Sequence, residues 1–492
     1  MYASLPPWLR ELLPILILLV VIAVVVRRLP RVDVGHSDAF RTRRFLNWFP
    51  AGMTYAFLYM GRYNITAFKN AVSMSNDAYG TIDLWGSLIY GVAFLINGPL
   101  ADRIGGRITL LMAAVGSAAM NLAMGVLALR GWQEDQAPIF ALLYAANMYF
   151  QSFGAVSIVK VNASWFHLRE RGTFGGIFGI LISLGVYFAY DWSRKIAEAF
   201  PELPASVFFV PPAMLLVLAI ADFLLVRDTP GQAGQKDFDT ADASSGDDGP
   251  RLGVFEVAKK MLSTRTILII AAIEFCSGFL RNAIMKWYPV FAKETGIKLS
   301  FVPMNWGLLL CCAGILGGMF AGVISDHVFG SRRGPVSTIL YGGLLGGAGV
   351  MFGVLTTPAL GWVVIFMSLC VIGVHGMLSG TASMDFGGKK NVGVAVGIID
   401  GFVYLGTAAQ ALVLKNVLPA GDLQKDMSNW WTWPLAMLPL ALVGTLLATR
   451  VWNARANKAA AAITEPSAGA DPFTLIDQLC GVCDAALKPA AG

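Results

Sequence analysis

Charge is what this chain has least of. Only 14% of its 492 residues are Asp, Glu, Lys or Arg, against about 25% in an ordinary soluble domain. A water-soluble enzyme of this length would leave too much apolar surface uncovered. Six cysteines do not make a disulfide framework. Cys276, Cys311, Cys312 and Cys370 lie inside apolar runs and read as core packing. Cys480 and Cys483 form a lone CxxC, without the second pair that a zinc site needs. Neither a metal nor a cofactor is expected. HExxH, GxSxG and a phosphate-cradling glycine loop are all missing from the sequence, so an enzyme is not expected either. The net charge of +6 is small, and nucleic acid is not an expected partner.

Apolar residues, by contrast, make up 56% of the chain, and its mean hydropathy is +0.62. Continuous apolar runs of about 20 residues recur along it, each long enough to cross a bilayer core. Their continuity excludes a porin-like barrel, whose strands alternate. Spans are predicted near 12–26, 45–68, 82–101, 108–129, 138–161, 173–192, 207–226, 266–289, 303–325, 335–356, 359–384, 392–415 and 430–450. The first is followed at once by Arg27, Arg28 and Arg31 with no small-residue cleavage site, and reads as a retained anchor. Placing 27–44 in the cytoplasm puts most Lys and Arg on that side, as the positive-inside bias requires. The N-terminus is then outside and the C-terminus cytoplasmic, in the cell membrane.

The polar stretch 228–250 reads as a flexible cytoplasmic linker between two bundles of six spans. The expected organisation is therefore an extra N-terminal helix and basic linker over 1–44, a six-helix bundle over 45–226, a linker over 227–264, a second bundle over 265–451, and a cytoplasmic tail over 452–492. The bundles look like copies. Gly98-Pro-Leu-Ala-Asp102-Arg103-Ile-Gly105-Gly-Arg107 recurs as Gly322-Val-Ile-Ser-Asp326-His-Val-Phe-Gly330-Ser-Arg332-Arg333, 224 residues on. Glu170-Arg171-Gly172 has its counterpart in Lys389-Lys390-Asn391, 219 residues on. A near-constant offset marks a parallel structural repeat, with the halves related by a pseudo-two-fold axis.

Two arginines fall in mid-span. Arg62 and Arg281 lie 219 residues apart, at the repeat offset, so the duplication makes them near mirror partners. A charge at that depth costs at least about 2.5 kcal/mol, and Arg cannot escape by deprotonating. It is kept where it lines water or meets an anion, and its planar fork matches phosphate. Alternatively, Glu274 and Asp400 neutralise the arginines in structural salt bridges. Tyr55, Tyr59, Arg62, Thr66 and Lys69 share one helical face. Tyr144, Asn147 and Gln151 form a second polar stripe, and Asp400 and Tyr404 share a face in a later span. His375 is the one histidine deep in a span.

The turn GxLADRxGxR resembles the major facilitator superfamily of transporters. Its glycines let two helix ends approach, and Asp102 is expected to pair with Arg103 or Arg107 as a latch that opens when the bundles rock. The residues Gly98, Asp102, Arg103, Gly105 and Arg107, with Asp326 and Arg332 of the second copy, form this gating motif. Within that superfamily, the mid-span arginines, Leu280-Arg281 with Trp287 and Pro289, Arg227-Asp228-Thr229-Pro230 and Phe150-Gln151-xx-Gly154 resemble the organophosphate:phosphate antiporters. Trp165, Tyr404-Leu405-Gly406 and Gly397-Ile-Ile-Asp400-Gly401 agree as well, the last being closer to the sugar-phosphate exchanger branch. The resemblance covers residues 45–451. It implies an all-α polytopic fold that exchanges a phosphate ester for inorganic phosphate, with Arg62 and Arg281 gripping the phosphoryl group. Tyr59, Tyr63, Gln151, Tyr404, Asp400, His375 and Asn282 are the expected lining, and Glu274 and Asp400 are candidates for charge or proton coupling. The chain departs from the glycerol-3-phosphate transporters at Phe94, Ile182, Ala155 and Cys311, where those carry Lys, His, Trp and an acid. A monomer in the lipid bilayer is expected. A phosphate-ester sensor with a transporter fold and a proton-coupled organic-anion symporter remain the alternatives.

Overall fold

A computed structural model describes residues 34–167, 170–240, 265–329, 333–378 and 383–452, together with 16, 18, 20–24, 259 and 263. Among these residues every regular element is helical. The twelve long helices are α1 Asp38–Val72, α2 Asn76–Ile104, α3 Gly106–Ala128, α4 Ala137–Ala163, α5 Arg171–Tyr187 and α6 Val210–Leu225, then α7 Arg265–Met285, α8 Trp306–Val323, α9 Arg333–Val354, α10 Ala359–His375, α11 Ser383–Val417 and α12 Thr432–Arg450. Each coincides with one of the spans predicted between 45 and 450. Most of the span at 12–26 and all of the tail beyond 452 lie outside the described residues.

Local chemistry sets the helix ends. Ser37 and Ser75 cap α1 and α2 by accepting from the backbone amides of Phe40 and Ala78. Prolines open α4 and α6, where a missing amide hydrogen leaves nothing unsatisfied. At the far end of α5 the chain makes a π turn over Phe188–Trp192 before a short helix, Ser193–Ala199.

Nine of the described helices are long and apolar enough to cross a membrane. The chain is a multi-pass membrane protein. The arginine-bearing helix α1 is not one of the nine, because Tyr59, Arg62, Tyr63 and Lys69 dilute its hydropathy, and these side chains are buried against other helices.

The first half packs α2 on α4, α4 on α3, α3 on α6, and α1 between α5 and α6. The second half packs α8 on α10, α10 on α9, α9 on α12, and α7 between α11 and α12. Two main seams join the halves, α2 against α11, with α4 beside it, and α5 against α8. Exchanging the halves turns α2 into α8 and α11 into α5, so each seam is the image of the other. The internal repeat therefore appears in space as pseudo-two-fold symmetry. At the α2–α11 seam a Cβ added to Gly397 would stand 2.5 Å from the Phe94 carbonyl oxygen, so backbone meets backbone there.

Candidate functional site

Arg62 lies on α1 near the middle of the protein and is 1% exposed. Its guanidinium donates from Nε to Gln151 Oε1 at 3.0 Å, from one terminal nitrogen to the Tyr404 hydroxyl at 2.9 Å, and from the other to the Tyr90 hydroxyl at 2.5 Å. Its Cζ stands 4.6 Å from the ring centroids of both Tyr59 and Tyr90. Arg281, on α7 and 6% exposed, faces the same Tyr404 ring at 5.6 Å. Tyr404 therefore stands between the two cations, reaching Arg62 across the seam between the halves. The three side-chain hydrogen-bond partners of Arg62 are all neutral. The Arg62 charge is held by two hydroxyls, an amide and π faces, and Arg281 lies against the Tyr404 ring, contacts that stabilise a cation without cancelling it.

The second polar stripe explains how Arg62 is aimed. Gln151 donates to the Leu58 carbonyl, Asn147 and Asn121 to that of Gly61, and Tyr144 to that of Arg62 itself. These bonds fasten α1 to α3 and α4 on the side away from the guanidinium. The stripe thus splits into Gln151, which touches the arginine, and Tyr144 and Asn147, which hold its backbone. The outer part of the α1 face goes elsewhere. Thr66 is hydrogen-bonded to Tyr79 at 2.8 Å, and Lys69 donates to the Met74 carbonyl and lies 3.8 Å from Glu294.

One of the acids expected nearby is engaged elsewhere. Glu274 on α7 sits 2.9 Å from His375 Nδ1 on α10, so it does not neutralise Arg281. Asp400 is buried on α11, one turn before Tyr404. Tyr63 is buried, stacked on Tyr190 at 5.5 Å and 6.0 Å from Arg62 Cζ. Asn282 donates to Asp83 at 3.1 Å and to Gln410 at 2.8 Å. Sequence reasoning missed Tyr90, which binds Arg62, and the buried Asp83–Lys286 pair joining α2 to α7. Spacing offered a signal for the second: Lys286 follows Asn282 by four residues, on the same face. Phe94, standing where a lysine was expected from the resemblance, stacks flat on Tyr404 with ring centroids 5.5 Å apart.

At the 98–107 turn the expected pairing is corrected. Asp102 bonds Lys160 on α4 at 2.6 Å, whereas Arg103 is exposed. Arg107 donates to the Phe223 carbonyl through its side chain and to Asp228 through its backbone amide. The reason is geometric. Gly105 turns the chain between α2 and α3 at φ +92°, a conformation natural to glycine, and a Cβ there would lie 2.7 Å from Asp228. The Arg227–Pro230 segment therefore docks on this turn, and Asp102 is left facing α4. Gly98 continues α2 on the same side. Asp326 falls in a π turn, Ile324–Val328; its side chain and Arg332 lie outside the described residues.

The opposite end of the molecule is closed by contacts between the halves. Lys415 reaches Asp77 and Thr81, Asn76 reaches Gln424, and Lys69 faces Glu294. The Asp191 carboxylate accepts from the backbone amides of Gly307 and Leu308 at the start of α8, at 2.8 and 3.0 Å.

Comparison with known proteins agrees with this architecture. The family described as Major Facilitator Superfamily matches residues 45–411. The chain is 27% identical to a glycerol-3-phosphate transporter of Bacillus subtilis (strain 168), over 86% of this chain and 96% of that protein. It is 24% identical to a probable hexose phosphate transport protein of Chlamydia trachomatis, over 84% and 91%. It is likewise 24% identical to the membrane sensor protein UhpC of Salmonella typhimurium, over 75% and 81%. With three quarters of its length matched and the two halves meeting at symmetric seams around a central site, the chain belongs to the Major Facilitator Superfamily, a family of transporters.

Proposed function

We propose that this protein carries a phosphorylated organic anion across the cell membrane in exchange for inorganic phosphate, as a monomer working by alternating access. The supporting observation is the pair of buried guanidiniums, one from each half, meeting at Tyr404. The relatives named for glycerol-3-phosphate and hexose phosphate transport favour the same ligand class. In this reading Arg62 and Arg281 grip the phosphoryl group, Gln151 and Tyr59 orient Arg62, and Tyr404 yields its hydroxyl contact to the ligand. Tyr63, Asn282 and Asp400 shape the surround. The Glu274–His375 pair is a candidate for charge coupling within the second half. The bundles 45–226 and 265–451 rock about this point, and the turn at 98–107 faces the cytoplasm with the C-terminus, leaving the N-terminus outside.

Electrostatics make exchange the natural mode. Two guanidiniums closing to about 10 Å repel by ~1.7 kcal/mol at an effective dielectric of 20. A dianion about 5 Å from each gains ~13 kcal/mol in the same medium, most of it offset by lost hydration. The empty carrier closes reluctantly and the loaded one readily, so the return journey requires another anion.

Counterflow of radiolabelled phosphate into phosphate-loaded proteoliposomes tests this. Glycerol 3-phosphate or hexose 6-phosphates outside are expected to block it, and dicarboxylates are not. Absence of counterflow from protein that is folded would overturn the exchanger. The similarity to a membrane sensor supports a second reading, in which the ligand binds at the same arginines and no exchange occurs. Saturable phosphate binding without counterflow would select it.

A further inference from the structure

Between the central arginines and the closed end lies a second charged layer that the phosphate grip does not use. Asp83 on α2 and Lys286, just beyond α7, are ion-paired, and each side chain is 2% exposed. Asn282, the neighbour of Arg281, donates to Asp83 and also to the Gln410 carbonyl oxygen on α11. Ser87 donates to Asp83 at 3.3 Å. Gln410 is fully buried, and its amide nitrogen has no hydrogen-bond partner among the described residues. The Lys286 ammonium lies 5.4 Å from the Tyr63 ring, and that ring lies 6.0 Å from the Arg62 guanidinium. This layer thus borders the central site through one tyrosine.

The pair spans the two halves. Opening the closed end must draw α2 away from α7 and so part Lys286 from Asp83. A buried cation that loses its partner is strongly unfavourable, and an anion in the opened mouth would relieve it. The donor set left behind is an ammonium, the spare Gln410 amide and the released Asn282 amide, all on the second half. That is a phosphate-binding set.

We propose that Lys286, Gln410 and Asn282 form a capture site for the phosphoryl anion in the state open at this end, and that Asp83 is its built-in competitor. Closing returns Asp83 to Lys286 and passes the anion inward to Arg62 and Arg281. This rests on the anion-transport reading and adds a second station to it. Lys286 is thereby a ligand-binding residue, and Asp83 is a residue that displaces ligand.

Equilibrium binding of radiolabelled inorganic phosphate to the purified full-length protein tests the idea, with thermal unfolding recorded in parallel. A merely structural ion pair loses the same thing whichever partner is neutralised. A competitor and a ligand respond in opposite directions. Asp83→Asn is expected to tighten phosphate binding about fivefold and Lys286→Gln to weaken it about tenfold, each being of the size of one charge-assisted contact. The double variant carries no unpaired charge and is expected to fall between wild type and Lys286→Gln. Shifts of both single variants in the same direction would overturn the proposal. So would a double variant that binds phosphate as tightly as wild type, which decides the matter even if a single variant fails to fold. Wild-type protein that binds no phosphate would instead remove the transport reading itself, and this inference with it.

Discussion

Arg62 satisfies three neutral acceptors from three nitrogens at once, which no lysine can do from a single ammonium at the same place. Arg62→Lys is therefore expected to lower phosphate counterflow by roughly tenfold or more while the protein still inserts, since charge survives and the planar fork does not. Wild-type counterflow in both Arg62→Lys and Arg281→Lys would exclude a bidentate grip. Gln151 joins the Leu58 carbonyl to Arg62 Nε. Gln151→Leu keeps the volume and removes both bonds, so phosphate binding is expected to weaken about tenfold with little change in expression. Unchanged affinity in that variant would mean that the tyrosine cage alone aims Arg62. The arginines could be singled out from sequence because charge deep in an apolar run is expensive and so noticeable. Tyr90 could not, because an aromatic residue in a membrane helix fits packing as well as it fits a polar contact.

Helix against helix, the second half depends on one very close approach. A Cβ added at Gly278 on α7 would stand 1.8 Å from the Val403 carbonyl oxygen, and one added at Gly406 on α11 would stand 1.9 Å from that of Phe275. Neither backbone can yield without separating α7 from α11, which carry Arg281 and Tyr404. Gly278→Ala or Gly406→Ala is expected to lower the midpoint of thermal unfolding in detergent. Gly346→Ala on α9, where nothing lies within 4 Å of the added carbon, is expected to leave it unchanged or to raise it through helix propensity. Equal behaviour of the three would show that α7 and α11 are not tightly seated. At the other seam the π turn at the end of α5 swings Asp191 onto the first amides of α8, where a helix dipole favours an anion. Asp191→Ala should loosen that end and raise maleimide labelling of a Ser87→Cys reporter in a cysteine-free background. Labelling no faster than in the parent would separate Asp191 from closure.

The two halves close together at the end away from the 98–107 turn, through contacts contributed from both sides. If exchange proceeds by rocking, tying that end shut must stop it. Cysteines replacing Lys69 and Glu294, whose charged atoms lie 3.8 Å apart, give a place for a short bifunctional methanethiosulfonate bridge. Counterflow is expected to fall to background when the bridge forms and to return with reductant. Transport that persists through the bridge would refute alternating access at this end.

The span positions between 45 and 450, the internal repeat and the two buried arginines within those spans were readable from the chain, because each is a one-dimensional signal: hydropathy, a constant offset, or a charge inside an apolar run. The partners of those charges were not. Asp102 faces Lys160 rather than an arginine in its own motif, Glu274 faces His375, and Asp83 faces Lys286. Each choice depends on which helix faces slide past one another at the seams and at the Gly105 turn. A sequence states which side chains need a counter-charge, and only the packed arrangement of the helices decides which of them supplies it.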